Sequence, residues 1–438
     1  MNKSLLRSAF ALGALILVGC NEKAALEPAQ QSGAAPTMPA AKDFLVPPMQ
    51  VPEFAGWKDG QSPKVSAGLH IEKMAADLMH PRQLLTLPNG DVLVVESNGP
   101  GSEAVTTPKQ LIAGMIKNKS GKGAKGGNRI TLLRKSDGPG AAWQKHVFLE
   151  HLHSPFGVQL IGDALYVANT DAILRFPYQS GATEIKAPGV EFADLPGTVN
   201  HHWTKSLLAS ADGKKLYVGV GSNSNIGENG LEVEYRRAVI LEVDVATGGS
   251  RIYASGIRNP TGLQWEPQSG KLWAIANERD EIGADLVPDY LTSVTEGGFY
   301  GWPYSYYGQN RDSRVKAERP DLVAKALKPD YAMGSHVAVL GLWFSANNSL
   351  PEKYHGGAFV AEHGSWDRSP LSGYAVVYIP FKDGAPAGTP ETIVSGFYSD
   401  DQSQLFGAPV GLAQDKDGAL LIADDVGNAV WRVTSDAH

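Results

Sequence analysis

The sequence predicts an all-β chain folded as a six-bladed β-propeller, and three observations lead there. From Gly68 onward, helical periodicity is confined to Thr107 to Lys117 and Pro320 to Ala326. One unit returns six times: an acidic or small polar turn, a glycine, then four to six apolar β-formers that end in polar residues. Several copies are followed by a further strand that ends the unit.

The six copies run from Leu87 to Asn98, Ile161 to Asp171, Ala211 to Asn223, Gln268 to Glu278, Tyr354 to Gly364 and Lys416 to Val426. The added strands begin at Ala172, Val239, Tyr374 and Val430. Irregular spacing argues against a β-helix, and six recurrences argue against a pair of sandwiches; blades lengthened by insertions fit both facts. A ring of blades would gather the polar ends of the copies round one axis. These are Glu96, Asn169, Ser222 and Asn223, Asn277 and Glu278, Glu362 and His363, and Asp424 and Asp425.

The N-terminus lies outside this pattern. Residues 1–20 combine Lys3 and Arg7, an apolar run from Phe10 to Val18, and Leu17-Val18-Gly19-Cys20. This reads as a signal peptide, too short to span a bilayer, whose last four residues resemble the bacterial lipobox. Cys20, the sole cysteine, is the expected lipidation site, so the exported domain is expected to stand without disulfides or Cys-type zinc sites. Residues 21–63, rich in Ala, Pro and Gln, are expected to be a flexible tether, and 64–438 the propeller. The expected location is the bacterial envelope, lipid-anchored and facing the periplasm.

A formal net charge of −7 with no basic stripe argues against nucleic acid as a partner. The lysines between Lys117 and Lys125 sit among glycines and read as an exposed loop. HExxH, CxxC, GxSxG and a phosphate-binding glycine loop are all absent, so the common zinc, serine and nucleotide chemistries lack local support.

The densest chemistry lies from Gly256 to Gly308. Arg258-Asn259-Pro260 leads into a short apolar strand, Asn277-Glu278-Arg279-Asp280 ends it, and Glu281, Asp285 and Asp289 follow. Arginine suits carboxylates, and carboxylates with backbone carbonyls suit calcium, so this stretch reads as a site for an organic anion beside a metal. His201-His202-Trp203-Thr204-Lys205 supplies an imidazole able to take a proton near neutral pH and a cation close by. His336, and His363 with Trp366 and Arg368, are further candidates at blade ends.

HHWTKSLLASADGKKLYVGVGSNSN, GIRNPTGLQWEPQSGKLW, NERDEIGADLVPDY, EGGFYGWPYSYYG, EHGSWDRSPLSGYAVVYIPF and APVGLAQDKDGALLIADD resemble the soluble PQQ-dependent aldose and L-sorbosone dehydrogenases. This six-bladed, soluble quinoprotein glucose dehydrogenase-like group also includes the PQQ-dependent pyranose dehydrogenases. The resemblance runs from about residue 68 to 435 in the same order and blade phase. It implies PQQ and Ca2+ as cofactors, a small sugar substrate and an external electron acceptor, either a quinone or a cytochrome. It implies His202 as the general base that takes the hydroxyl proton while hydride passes to the quinone. Arg258, Asn259, Lys205, Asn223, Arg368 and His336 match cofactor contacts, and the backbone carbonyls of Arg279 and Asp280 match the calcium ligands. Lys205 stands where Arg is usual, and Ala408 in Gly407-Ala408-Pro409 also replaces an Arg, which removes one cation. Two other readings stay open: a non-catalytic envelope scaffold, and a metal-dependent lactonase built on Glu96, Asn169, Asn277 and Asp424.

Overall fold

A computed structural model describes residues 23–42, 49–101, 108–136, 138, 142–198, 201–346 and 348–436; Cys20 and its lipobox lie outside the described residues. Six antiparallel sheets follow one another along the chain. Blade 1 consists of Pro81–Thr86, Val92–Glu96, Arg129–Lys135 and Trp143–Leu149, and blade 2 of Gly157–Ile161, Ala164–Ala168, Ala172–Pro177 and Val190–Asp194. Blade 3 consists of Lys205–Ala209, Lys215–Val220, Val239–Asp244 and Ser250–Ser255. Blade 4 consists of Asn259–Trp265, Leu272–Asn277, Pro288–Ser293 and Tyr331–Ser335, and blade 5 of Val339–Phe344, Ala358–Glu362, Ala375–Ile379 and Glu391–Ser395. Blade 6 takes Pro409–Gln414, Leu420–Asp424 and Ala429–Ser435 from the C-terminal end and Leu69–Ala75 from the N-terminal end. That last pairing, His70 opposite Thr434 and Glu72 opposite Arg432, closes the ring.

The six recurring units are the second strands of the six blades. They are legible because they are buried almost throughout: Val92, Leu93, Val94 and Val95 have no exposed surface. Their burial makes an uninterrupted β-branched run, as expected for a sheet covered on both faces by neighbouring blades. The expected helices are present and short, Pro108–Lys119 and Pro320–Val323.

The inner strands pack around the axis so closely that some positions admit only glycine. A Cβ on Gly341 of blade 5 would collide with the carbonyl of Val410 in blade 6, and one on Gly411 with the carbonyl of Arg82 in blade 1. All six inner strands line a cavity of about 110 Å³, with Gln83, Gln159, Gln264 and Trp343 among its walls. Small-molecule sites run to several hundred Å³, so a sugar or cofactor must use the loop face above. Antiparallel order puts two loop sets on that face: the entry to each inner strand, and the link from second to third strand.

The stretch expected to be a tether lies on the propeller wherever it is described. Ser32–Gly33 adds a fifth strand to blade 4, pairing with Met333 and Ala332, and just past the stretch, at the expected start of the propeller, Lys64–Val65 adds a fifth to blade 5. Between them Glu53–Phe54 pairs in parallel with Gln404–Leu405, and Trp57 packs edge-on against Trp431 at 5.3 Å and Phe397 at 5.9 Å. Backbone hydrogen bonds to blade loops hold a segment with no apolar periodicity of its own. Among the described residues no helix is long and apolar enough to cross a membrane.

Gly341→Ala tests the tightness of the ring. The methyl has nowhere to go but into backbone, so a loss of about 1–3 kcal/mol is expected, read as a lower midpoint in thermal or urea unfolding.

Candidate functional site

Ring closure assembles the loop-face residues into three adjoining groups. Phe156, Leu340 and Val410, at the entries of blades 2, 5 and 6, form an apolar floor, with Trp203 packed against it.

The first group joins blades 3 and 4 around His202. Its Nδ1 lies 2.9 Å from the carbonyl oxygen of Ser222 and 3.0 Å from the hydroxyl of the same residue. That hydroxyl donates its proton to the Ser224 carbonyl at 2.6 Å, so it can only accept from His202. The proton therefore sits on Nδ1 and the Nε2 lone pair is left free; no partner reaches Nε2 among the described residues. Burial first, then the Arg258 charge, holds the imidazole well below its usual pKa, so it is neutral at pH 7. Gly221 brings Asn259 and His202 together, since a Cβ there would strike both.

Arg258 is 2% exposed and saturated by the protein. It donates to the Asn225 carbonyl at 3.2 Å, the Glu278 carbonyl at 2.6 Å, the Asn225 side chain at 3.0 Å and Asp280 at 3.2 Å. Asn259 donates to Asn277 at 3.3 Å, and its buried Oδ1 has no partner.

The second group, between blades 4 and 5, is dominated by carboxylates. Asp280, His336 and Asp367 bring their ligand atoms within 4.8 Å of one another. Burial opposes the charge on Asp280, but Arg258 and His336 outweigh it and hold the carboxyl at about 2. Burial likewise opposes the His336 cation, yet Asp367 and Asp280 lift its pKa to about 10. Asp367 lacks an arginine partner, and burial raises it to about 7. Asp289, which accepts from the Glu278 and Ala338 amides at 2.8 and 2.7 Å, is also raised by burial to about 7. Glu362 ends the second strand of blade 5, is 6% exposed, and is pushed up by burial and by Asp289 to about 8.

The third group spans blades 5, 6 and 1. Asp425 pairs with Arg82 and, at 2.9 Å, with His363 Nε2. Lys122 comes from the lysine-rich segment read as an exposed loop, and instead reaches across to donate to the Gly364 carbonyl at 3.3 Å and the Tyr374 hydroxyl at 3.2 Å. Burial lowers its pKa to about 8.

The other residues singled out in the sequence fall as follows. Lys205 has no exposed surface; it opens the inner strand of blade 3 and turns its Nζ to the Trp203 carbonyl, so the expected cofactor cation is buried in the blade instead. Asn223 is buried, its amide on Glu234 at 2.7 Å and its Oδ1 taken by Asn229 at 2.6 Å. Arg368 donates to the Ala284 carbonyl at 2.9 Å and to Asp285 at 3.3 Å. The Asp280 carbonyl accepts from Asn225 Nδ2 at 3.1 Å, while the Arg279 side chain pairs with Asp312 at 2.9 Å, away from the other groups. Ala408 is fully buried in the cluster onto which Trp57 packs, so hydrocarbon fills the position where a cation is usual. Of the four residues a lactonase would need, Glu96 is held by Arg129 at 2.9 and 3.0 Å and Asp424 by Trp57 at 2.7 Å and the Ala408 amide at 2.8 Å. They are structural anchors of their blades.

Sequence reasoning passed over Asp367, although it lies between Trp366 and Arg368, and over Arg82, Asn225 and Lys122. It also missed the roof. The Ala25 amide donates to Asp285 at 2.7 Å, Gln31 bridges Asp285 and the Ser335 amide, and the Gln50 amide donates to the Trp366 carbonyl at 3.1 Å. The N-terminal stretch thus crosses the loops that carry the second group.

Glu362 has the clearest pH signature. A carboxyl raised in the folded state costs nothing below its unfolded pKa, and destabilises progressively as pH rises to its folded pKa. Glu362→Gln should therefore match the parent chain near pH 4.5 and exceed it by about 2–4 kcal/mol at pH 8, measured by urea unfolding.

The TrAA12-like family model matches residues 63–289 and 310–436. An uncharacterised protein of Borreliella burgdorferi is 29% identical over 295 residues, covering 64% of this chain and 76% of that one. A pyrroloquinoline quinone-dependent pyranose dehydrogenase of Coprinopsis cinerea is 30% identical over 291 residues, covering 53% of this chain but only 39% of the enzyme's length. The solved iodide structure of Trichoderma reesei Carbohydrate-Active Enzymes Family AA12 superimposes with a TM-score of 0.69 at 19% identity, over 85% of this chain and 98% of that one, which shows the shared fold.

Proposed function

The chain belongs to the TrAA12-like family, whose members act as oxidoreductases, and on that premise we propose that it is a PQQ-dependent sugar dehydrogenase. Its substrate is an aldose or a sugar aldehyde of the sorbosone kind, and His202 is its general base. The observation that carries this reading is the state of His202: neutral at pH 7, its Nδ1 proton pinned on Ser222, its Nε2 free at the loop face. A base must arrive unprotonated with its lone pair open, and this imidazole meets both conditions.

The residues present fit a quinone with carboxylate arms. Two fixed cations, Arg368 and the His336 imidazolium, stand on the same face as His202 and suit those arms. When bound, PQQ supplies a two-electron acceptor for the hydride of the sugar carbon. His202 takes the hydroxyl proton at Nε2, the Ser222 carbonyl steadies the resulting imidazolium through Nδ1–H, and Arg258 keeps that cation short-lived by repulsion. The apolar floor of Phe156, Leu340 and Val410 excludes water beneath the reacting groups. Ca2+ at the Arg279 and Asp280 carbonyls, and a quinone or cytochrome as the final electron acceptor, belong to the same proposal.

Residues 1–20 as a lipoprotein signal, with Cys20 acylated and the domain held at the envelope, complete the reading. It would place the enzyme where PQQ and extracellular sugars meet.

Two experiments test it. The chain reconstituted with PQQ and Ca2+ should reduce a dye with at least one aldose. His202→Ala should lower kcat by roughly 10²–10⁴-fold while leaving PQQ binding intact. Absence of turnover with every aldose would refute it. Separately, Cys20→Ser should abolish incorporation of labelled fatty acid and move the protein from the membrane to the soluble fraction.

A further inference from the structure

Asp280, His336 and Asp367 come from three separate loops: the end of the second strand of blade 4, the entry to blade 5, and its second-to-third strand link. His336 Nδ1 lies 3.2 Å from Asp367 Oδ1 and 3.5 Å from Asp280 Oδ1. Metal–ligand bonds of about 2.0–2.2 Å at tetrahedral angles put neighbouring donors about 3.3–3.6 Å apart. The two spacings from His336 are close to that, and the two carboxylate atoms lie within 4.8 Å of each other.

Two independent features point to a ligand. Asp367 is 3% exposed, and apart from the His336 ring at 3.2 Å no donor reaches either of its carboxylate oxygens among the described residues. A buried carboxylate is normally satisfied by donors, so both oxygens call for a positive partner beyond the imidazole alone. His336, for its part, is oriented as metal-bound histidines are. Its Nε2 donates to the Gly283 carbonyl at 2.9 Å, which fixes the ring and turns Nδ1 to the carboxylates. The loop holds this residue in the left-handed region, at φ 61°, and Ala338 beyond it at φ 56°. Such backbone is retained only where the surroundings impose it.

We propose that Asp280, His336 and Asp367 form a site for a divalent first-row transition ion such as Zn2+ or Mn2+, with a coordination position left open. Donor spacing alone would also suit calcium in an octahedral arrangement. The imidazole nitrogen decides, since calcium takes oxygen ligands and Zn2+ or Mn2+ accept nitrogen and carboxylate together. Asp280 Oδ2 stays on Arg258 at 3.2 Å, which leaves Oδ1 for the ion, and the ion displaces the proton that His336 Nδ1 otherwise carries between the two carboxylates. The site differs in donor chemistry from the backbone-carbonyl calcium site of the proposed function. It does not depend on sugar oxidation, because it is read by metal rather than by turnover.

The test uses the full chain, stripped with EDTA and titrated with Co2+ as an optical probe. The expected result is one equivalent bound with visible d–d absorption, displaced by Zn2+ and undisturbed by millimolar Ca2+. His336→Gln and the isosteric Asp367→Asn should each weaken Co2+ binding by more than roughly a hundredfold, beyond the 10–100-fold typical of outer-shell partners. Circular dichroism of each variant reports whether the fold is kept. Lack of Co2+ absorption, displacement by Ca2+ as readily as by Zn2+, or unchanged binding in folded variants would each overturn the proposal. A dehydrogenase that turns over yet binds no Co2+ would sink this site alone; Co2+ binding in a chain inert to all sugars would sink the activity alone.

Discussion

Closure of the ring is the constraint on which the molecule depends. Leu69–Ala75 must pair with Ala429–Ser435 across the whole length of the chain to complete blade 6 and bring it against blade 1. Until then the second strands of those two blades, buried on both faces in the finished structure, each have an apolar face without cover. The same closure brings Asp425 of blade 6 to Arg82 of blade 1, 343 residues apart in sequence, and His363 of blade 5 joins them from the other side. Fold and loop-face chemistry are therefore one cooperative event, and a fault in the velcro strand would be felt at the site as well as in the core.

The loop face carries more buried carboxylate than cation between blades 4 and 5. Glu278, Asp289, Glu362 and Asp367 are all raised by burial to around neutrality, whereas Asp280 alone is strongly depressed, because Arg258 lies against it. Buried carboxyls with raised pKa values are a standing cost to stability near pH 8 and are kept where a ligand uses them. Among the described residues, blade 1 shows no comparable set: Glu96 has Arg129 and Thr131, and Asp91 has Arg134. The asymmetry of the ring points to the same sector as the roof formed by the N-terminal stretch.

The second strands were legible because burial on both faces leaves an unbroken run such as Leu420 to Ala423. The inner strands were not, since proximity to the axis selects Gly, Pro and Thr, as in Asn259-Pro260-Thr261-Gly262, a pattern that reads as a turn. His202, Arg258 and His336 stood out as residue types, but nothing local fixes their partners. Arg258 finds Asn225 only through the neighbouring blade 3, and Asp280 only through pairing of the first two strands of blade 4. Lys205 shows the limit most plainly. It sits at a position where a cation is expected to face the cofactor, yet the strand that it opens directs its side chain inward to Trp203. Asp367 escaped notice because an aspartate between a tryptophan and an arginine looks paired, whereas Arg368 is committed to Asp285 and Ala284.

The N-terminal stretch carries the argument one step further. Composition makes it a tether, for Ala, Pro and Gln cannot bury enough apolar surface to order themselves. It is ordered all the same because its polar backbone meets ready acceptors, and Asp285 is the chief of these. One Asp285 oxygen takes the Ala25 and Leu26 amides, the other takes Gln31 and Arg368. A single carboxylate thus ties the roof to the cation that closes blade 5. These hydrogen bonds, with Trp57 packed on Trp431 and Phe397, hold the stretch in place, and none of the partners lies near it in sequence. That is why composition alone reads it as a tether.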